Sequence, residues 1–139
     1  MNMKRRQFLT ATTVALGFPY VGRVLGANDK LNIGVVGVAG RGAGNLKGVS
    51  GENIAALCDV SARNLAGAAG KFPRAKTYSD FRKMLEQKDL DAVVCSTPDH
   101  THAIVGVNAM KTGHHLYCEK PLTHKVSEAR AMAVTAANE

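Results

Sequence analysis

Residues 31–59 read LNIGVVGVAGRGAGNLKGVSGENIAALCD. An apolar run, residues 31–36, is followed by glycines at 37, 40 and 42, and a second apolar run, residues 54–58, ends on Asp59. This order predicts a buried strand, a glycine turn, a helix and a second buried strand that ends in a carboxylate. Such a βαβ unit can hold a dinucleotide, because the turn lets the backbone approach a pyrophosphate and the helix N-terminus offers unpaired N–H groups.

The spacing of the acid supports this interpretation. Asp59 lies 22 residues after Gly37, close to the spacing at which a carboxylate reaches ribose hydroxyls. The fingerprint Gly-x-Gly-x-x-Gly would place glycine at 37, 39 and 42, whereas residue 39 is Ala39. We expect Gly40 to relax the turn in its place. The alternative is an ordinary glycine-rich turn, but the strand, helix and spaced acid around it favour dinucleotide binding.

The rest of the chain continues the alternation of strands and helices. Ser61 and Ser79 are predicted to cap helices, and Gly113 is predicted to close another. The further elements predicted are strands at residues 75–78, 92–97 and 115–118, and helices at residues 101–112 and from Val126 onward. The pattern predicts an α/β fold with a doubly wound parallel sheet of the Rossmann type.

Length and charge limit the possible functions. The 139 residues suffice for one domain with one core, here residues 28–139. The formal net charge is +7, but four of the 18 basic residues precede residue 28, where no acid occurs. The remainder carries 14 basic against 11 acidic residues. No basic stripe with interleaved aromatics is present, so we expect no nucleic-acid partner.

The N-terminal segment, residues 1–27, is predicted to be a targeting signal and not part of the fold. Arg5 and Arg6 precede Phe8 and Leu9, and the apolar core that follows is too short to span a bilayer. The arrangement resembles a twin-arginine export signal, which implies transport of a folded, cofactor-loaded protein to the periplasm by the twin-arginine machinery. An uncleaved signal would leave the domain tethered to the membrane. The alternative is a frayed basic helix on a cytosolic protein.

Cysteine and histidine patterns do not indicate a metal. Cys58, Cys95 and Cys118 fall at or near strand ends, without a CxxC pair. They are interpreted as small buried hydrophobic residues, and a disulfide is conceivable in an exported protein but not indicated. His100 and His102, like His114 and His115, lack a carboxylate or cysteine at a ligand spacing, so no metal site is predicted.

Three loops are expected to carry the chemistry, because ligands of open α/β sheets bind beyond the carboxyl ends of the strands. They are residues 37–42, 96–102 and 119–122. In the third loop, Lys120 could act as a point charge or as a proton donor to a carbonyl oxygen. The alternative is a surface pair of Glu119 and Lys120 near a turn.

Four features of the sequence together closely resemble the glucose–fructose oxidoreductase, inositol dehydrogenase and rhizopine-catabolism (Gfo/Idh/MocA) family. They are the glycine loop, Asp59, the run Thr97-Pro98-Asp99-His100-Thr101-His102 and the run Glu119-Lys120-Pro121. The likeness covers residues 30–139. It implies an N-terminal Rossmann domain followed by a second α/β domain, and oxidation or reduction of sugars and polyols with NAD or NADP.

The resemblance also implies roles for individual residues. The pyrophosphate turn would comprise Gly37, Ala39, Gly40, Arg41 and Gly42. Asp59 would bind the ribose diol, which favours NAD, although Arg63 keeps NADP possible. The nicotinamide would be bordered by Thr97, Pro98, His102, Glu119 and Lys120, with Asp99 replacing the family's common Asn and Lys120 polarising or protonating the reacting oxygen.

The expected activity is that of an exported NAD(P)-dependent oxidoreductase acting on a sugar or cyclitol. We expect this chain alone to be inactive. The family's other catalytic residues lie in the second domain, and the sheet is expected to lack its sixth strand, so we expect a fragment of a longer, homo-oligomeric protein. Two alternatives stay open: an NAD-dependent glycoside hydrolase of the same superfamily, and a non-catalytic nucleotide-binding module.

Overall fold

The computed structural model describes residues 30–139; the predicted export segment lies outside the described residues. Five strands alternate with five helices along the chain. In order they are β1 (Asn32–Val36), α1 (Arg41–Gly48), β2 (Asn53–Cys58), α2 (Ala62–Ala69), β3 (Lys76–Tyr78), α3 (Phe81–Leu85), β4 (Ala92–Cys95), α4 (Asp99–Lys111), β5 (His115–Cys118) and α5 (Val126–Asn138).

All strand pairs of the sheet are parallel, in the order β3-β2-β1-β4-β5. This is the order of a Rossmann sheet from its third to its fifth strand, so the prediction of fold class is confirmed. The registers align the strand ends: Val36 lies opposite both Cys58 and Cys95, and Cys95 lies opposite Cys118. The loops after β1, β2, β4 and β5 therefore meet at one edge of the sheet.

Both faces of the sheet are covered, because side chains alternate across each strand. On one face Val36, Val93 and Cys95 pack with Met84 of α3 and Val105 of α4. The opposite face packs Val35 and Leu57 with Leu46 of α1 and Ala68 of α2. Among residues 30–139, none of the helices combines the length and apolar character needed to cross a membrane.

Several element boundaries differ from the sequence-based expectation. Ser61 caps α2 as predicted, but α3 is capped by Asp80 and not by Ser79: Asp80 Oδ1 accepts from the amide of Arg82 at 2.9 Å. A carboxylate is a strong acceptor for the unpaired amides of a first turn, and both residue types qualify as caps by sequence alone.

Strand β4 is shorter and the helix after it longer than predicted. β4 ends at Cys95, two residues before Thr97, and α4 starts at Asp99 and not at residue 101. Pro98 explains the early start of the helix. It is the residue just before the first turn, and its ring fixes φ there at −59°. The loop that carries Thr97 is therefore short and held at both ends.

Candidate dinucleotide site

A groove of about 700 Å³ opens at the carboxyl ends of β1, β2 and β4. Its lining includes Gly37 and Ala39 from the first loop, Asp59 from the second, and Thr97 and Pro98 from the third. The tertiary structure thus gathers residues from two of the three predicted loops, together with Asp59, around one concavity, whereas the third predicted loop, residues 119–122, lies outside this lining. This is the position at which doubly wound sheets bind ligands.

The glycine turn has two positions that only glycine can occupy. Gly37 has a φ of +83°, and a Cβ there would lie 2.7 Å from the carbonyl oxygen of Ser96. A Cβ on Gly42 would lie 2.0 Å from the carbonyl oxygen of Gly37, so the start of α1 rests directly on the turn. Gly40 has a φ of +54°, and no non-glycine residue among those described has a positive φ. Ala39 is therefore accommodated because its neighbour adopts the left-handed conformation.

The turn presents unpaired backbone donors. The amide of Gly37 donates a hydrogen bond to the carbonyl of Cys58, and the amide of Val38 donates one to the carboxylate of Asp59. Within residues 30–139, the amides of residues 39–41 donate no hydrogen bond. They lie at the N-terminus of α1, where the aligned peptide dipoles favour an anion. The turn can therefore accept a pyrophosphate.

Asp59 closes the second strand and is held by backbone. Its Oδ2 accepts from the amide of Val38 at 3.0 Å, and its Oδ1 accepts from the amide of Ser61 at 2.9 Å. Each carboxylate oxygen has a further lone pair, so the group can still accept hydrogen bonds from two ribose hydroxyls. Arg63 is exposed and outside the groove lining, whereas Arg82 lines the groove and is paired with Asp80.

Glu119 is turned toward α1 and not into the groove. Its carboxylate, 8% exposed, accepts from Arg41 Nε at 2.9 Å and from Asn45 Nδ2 at 3.0 Å. The hydrogen bond from Asn45, followed by that from Arg41 and its positive charge, lowers the pKa of Glu119 despite the opposing effect of burial. Asn45 also donates to Ser96 Oγ at 2.8 Å. Sequence reasoning missed Asn45, because an amide inside a helix carries no local signal of a partner far along the chain.

Lys120 directly follows Glu119, but its side chain is exposed where that of Glu119 is buried. Within residues 30–139 the ammonium of Lys120 makes no ion pair. It lies beyond the carboxyl end of β5, on the same edge of the sheet as the groove. A free ammonium at this edge is available to a ligand oxygen.

His102 lies beneath the loops, not on the groove surface. Its ring is 1% exposed, with Nε2 at 2.7 Å from the carbonyl oxygen of Thr97 and Nδ1 at 2.8 Å from that of Pro121. One side chain thus connects the loop after β4 to the loop after β5. The neighbouring His100 is exposed and lines the groove instead.

Comparison with known proteins agrees with this geometry. Residues 31–139 match the model of a family described as "Oxidoreductase family, NAD-binding Rossmann fold". Inositol 2-dehydrogenase of Salmonella typhimurium is 33% identical over 97 residues, which are 66% of this chain and 29% of that protein. A glycosyl hydrolase family 109 protein of Solibacter usitatus is 36% identical over 115 residues, 73% of this chain and 26% of that protein.

A solved structure shows the same fold. The oxidoreductase domain protein from Kribbella flavida superposes with a TM-score of 0.73 at 34% identity, over 79% of this chain and 32% of that one. The chain therefore spans about a third of the length of the relatives it matches.

Proposed function

The chain belongs to the Gfo/Idh/MocA oxidoreductase family, with residues 31–139 forming its NAD-binding Rossmann domain, and on this premise we propose the activity of the whole protein. It is an oxidoreductase that transfers a hydride between a sugar or cyclitol hydroxyl carbon and a nicotinamide coenzyme. The described chain is its coenzyme-binding part. Inositol 2-dehydrogenase among its relatives supports a polyol as the substrate class.

One observation carries the proposal: unpaired amides and a fixed carboxylate face one groove. The amides of residues 39–41 lie on the β1 side and Asp59 lies at the end of β2. A dinucleotide presents a pyrophosphate to the first and a ribose diol to the second. An ordinary strand–helix turn also leaves amides unpaired where the helix begins, but it needs no carboxylate fixed beside them.

The residues of this chain bind and orient the reactants. Bound NAD would supply the hydride acceptor at its nicotinamide ring. Pro98 and Thr97 shape the groove on the nicotinamide side, and Glu119 anchors the following residue by its bonds to α1. Lys120 then holds or donates a proton at the substrate oxygen, a role that suits an exposed ammonium. A second domain would provide the partner base.

Replacing Lys120 tests this role. In the full-length protein, we expect Lys120→Ala to lower kcat by about 100-fold or more while the Kd for NAD stays unchanged. The matched control is Lys111→Ala, an exposed lysine that ends α4, before β5 begins. Steady-state kinetics with inositol and hexose substrates and calorimetry with NAD provide the readouts. Unchanged turnover in Lys120→Ala would instead favour the non-catalytic module.

A glycoside hydrolase is the second candidate, because a family 109 glycosyl hydrolase is among the relatives at 36% identity. In that activity NAD would be reduced and reoxidised within one turnover. Incubation with aryl glycosides separates the two functions: release of the aglycone without net NADH supports the hydrolase, and net NADH formation from free polyols supports the dehydrogenase.

We also propose that residues 1–27 export the folded protein through the twin-arginine machinery to the periplasm. Arg5 and Arg6 support this, with the short apolar stretch that follows them. Fractionation of cells that express the protein is the test. We expect coenzyme-loaded protein in the periplasm, and retention in the cytoplasm when both arginines are replaced by lysine. Periplasmic location of that double variant would contradict the proposal.

A further inference from the structure

Two cysteines end neighbouring strands beneath the coenzyme loops. Cys95 is the last residue of β4 and Cys118 the last of β5, and the two are directly paired in the parallel register. Their sulfur atoms and a ring nitrogen of His102 all lie within 4.8 Å of one another. No part of the proposed hydride transfer uses this cluster.

His102 connects the cluster to both coenzyme loops. Its ring nitrogens face the carbonyl oxygens of Thr97 and Pro121, at 2.7 Å and 2.8 Å. The same ring lies beside both sulfur atoms, whereas Glu119 is engaged by Arg41 and Asn45. A change at the thiols can therefore reach both loops through one side chain.

The thiols are suited to share one negative charge. A hydrogen bond from the Cys118 thiol, helped by Thr97 and by the charge of His102, lowers the pKa of Cys95 to about 6. The same hydrogen bond raises the pKa of Cys118, and burial and the charges of Cys95 and Glu119 add to the effect. At neutral pH the pair therefore holds one proton between two sulfurs. Cys58 contrasts with it, because burial raises its pKa to about 12.

We propose that Cys95 and Cys118, with His102 beside them, are a redox-active dithiol that low-molecular-weight disulfides oxidise to an internal disulfide. Directly paired residues of adjacent strands have Cα atoms about 4.8 Å apart, inside the range of about 4.4–6.8 Å that a disulfide spans. Cys118 is partly exposed whereas Cys95 is fully buried, so oxidation begins at Cys118.

The reaction consumes one small disulfide. With the shared proton on Cys95, the Cys118 thiolate attacks one sulfur of the small disulfide, forming a mixed disulfide and expelling a thiolate. Cys95 then gives its proton to that thiolate and attacks the Cys118 sulfur, breaking the mixed bond and expelling the second thiolate. The two cysteines lose two electrons in total, and the small disulfide gains them as it becomes one thiol and one thiolate, which takes its proton from water.

Oxidation would be transmitted to the coenzyme loops. Cys95 is two residues before Thr97, and Cys118 directly precedes Glu119. A disulfide draws the two strand ends together and removes the negative charge beside His102, whose ring contacts the carbonyl oxygens of both loops. Resting on the proposed function, this predicts weaker NAD binding by the oxidised protein.

The test maps the link chemically in the full-length protein. Reduced, chelator-washed protein is incubated with oxidised glutathione, quenched in acid, alkylated and digested with trypsin, which cleaves after Lys111 between the two cysteines. We expect one cross-linked pair of peptides containing Cys95 and Cys118. Cys118→Ser should abolish the link and leave Cys95 reduced, whereas Cys58→Ala should leave the link unchanged.

Three other outcomes would overturn the proposal. They are glutathione retained on Cys118 without a link, free alkylation of both thiols after oxidation, and one zinc ion per chain protecting the thiols before chelation. The pH dependence of iodoacetamide alkylation of Cys118 in the native protein is a check that needs no variant: we expect a midpoint below the ordinary thiol value, because the two thiols share one negative charge. A midpoint near the ordinary thiol value of about 8.5 contradicts it.

Mapping the link does not depend on coenzyme binding. A link that forms in protein that binds no NAD would contradict the proposed function but leave the dithiol proposal standing. Calorimetry with NAD on the reduced and the oxidised protein tests their connection. Equal affinity in the two forms would contradict the transmission to the loops.

Discussion

Glu119 accepts a hydrogen bond from Arg41 Nε at 2.9 Å, across 78 residues of sequence. Arg41 begins the helix that presents amides to the groove, and Glu119 begins the loop that carries Lys120. Asn45 adds a second hydrogen bond from the same helix. The phosphate end and the reactive end of the proposed coenzyme site are therefore connected through one buried carboxylate.

Removing this carboxylate should loosen both ends of the site. We expect Glu119→Ala to raise the Kd for NAD about tenfold, because α1 and the loop after β5 lose their common anchor. Isothermal calorimetry measures the change. Glu86→Ala is the control, since Glu86 is an exposed carboxylate paired with Lys83 and remote from the groove lining. An equal loss in both variants would show that the anchor has no specific role.

The same anchor predicts a pH dependence. The pKa of Glu119 is lowered below its ordinary value of 4.5, chiefly by the hydrogen bond from Asn45. A lowered folded-state pKa stabilises the protein above the unfolded-state value, and this stabilisation is lost as the pH falls through the folded-state value. The contribution of Glu119 to the free energy of unfolding should therefore stay level between pH 7 and about 5 and fall below about pH 4. The isosteric Glu119→Gln should lose that part of the acid-dependent fall, and an identical profile in urea unfolding of both proteins would exclude Glu119 as a source.

Gly42 should tolerate no side chain. Its added Cβ would lie 2.0 Å from the backbone oxygen of Gly37, so Gly42→Ala must displace α1 from the turn. We expect a loss of about 2–4 kcal/mol in the free energy of unfolding, together with loss of NAD binding. Gly44→Ala, in the same helix with nothing within 4 Å of its Cβ position, should instead gain about 0.5–1 kcal/mol. Urea unfolding of both variants measures these changes in the free energy of unfolding.

Asp59 should control the choice between NAD and NADP. Asp59→Asn removes the negative charge that would repel a 2′-phosphate, and its NH₂ group would face a backbone N–H that the carboxylate now accepts from. We expect the ratio of NADP to NAD affinity to rise by about tenfold or more. The ratio is the readout because both affinities fall if the loop loosens. Asp89→Asn, an exposed acid outside the groove lining, should leave the ratio unchanged.

The fold and the position of the groove were predictable from local patterns. Apolar runs broken by glycine and proline predicted all five strands, and the loops after β1 and β4 contribute to the groove as expected, as does Asp59 at the end of β2. The loop after β5 was also expected there, but it lies outside the groove lining. Asp80 as the cap of α3 was missed, because Ser79 and Asp80 are both good caps and only the backbone conformation decides between them.

What the sequence by itself determined is the order of buried strands, the glycine turn and the acid 22 residues after it, since these depend on the side-chain period and backbone freedom of neighbouring residues. Only the tertiary structure decided that Glu119 turns toward Arg41 and Asn45, that His102 lies beneath the loops between two carbonyls, and that Cys95 faces Cys118. These contacts join residues 5 to 78 positions apart. They follow from strand register and loop closure, which no local pattern encodes.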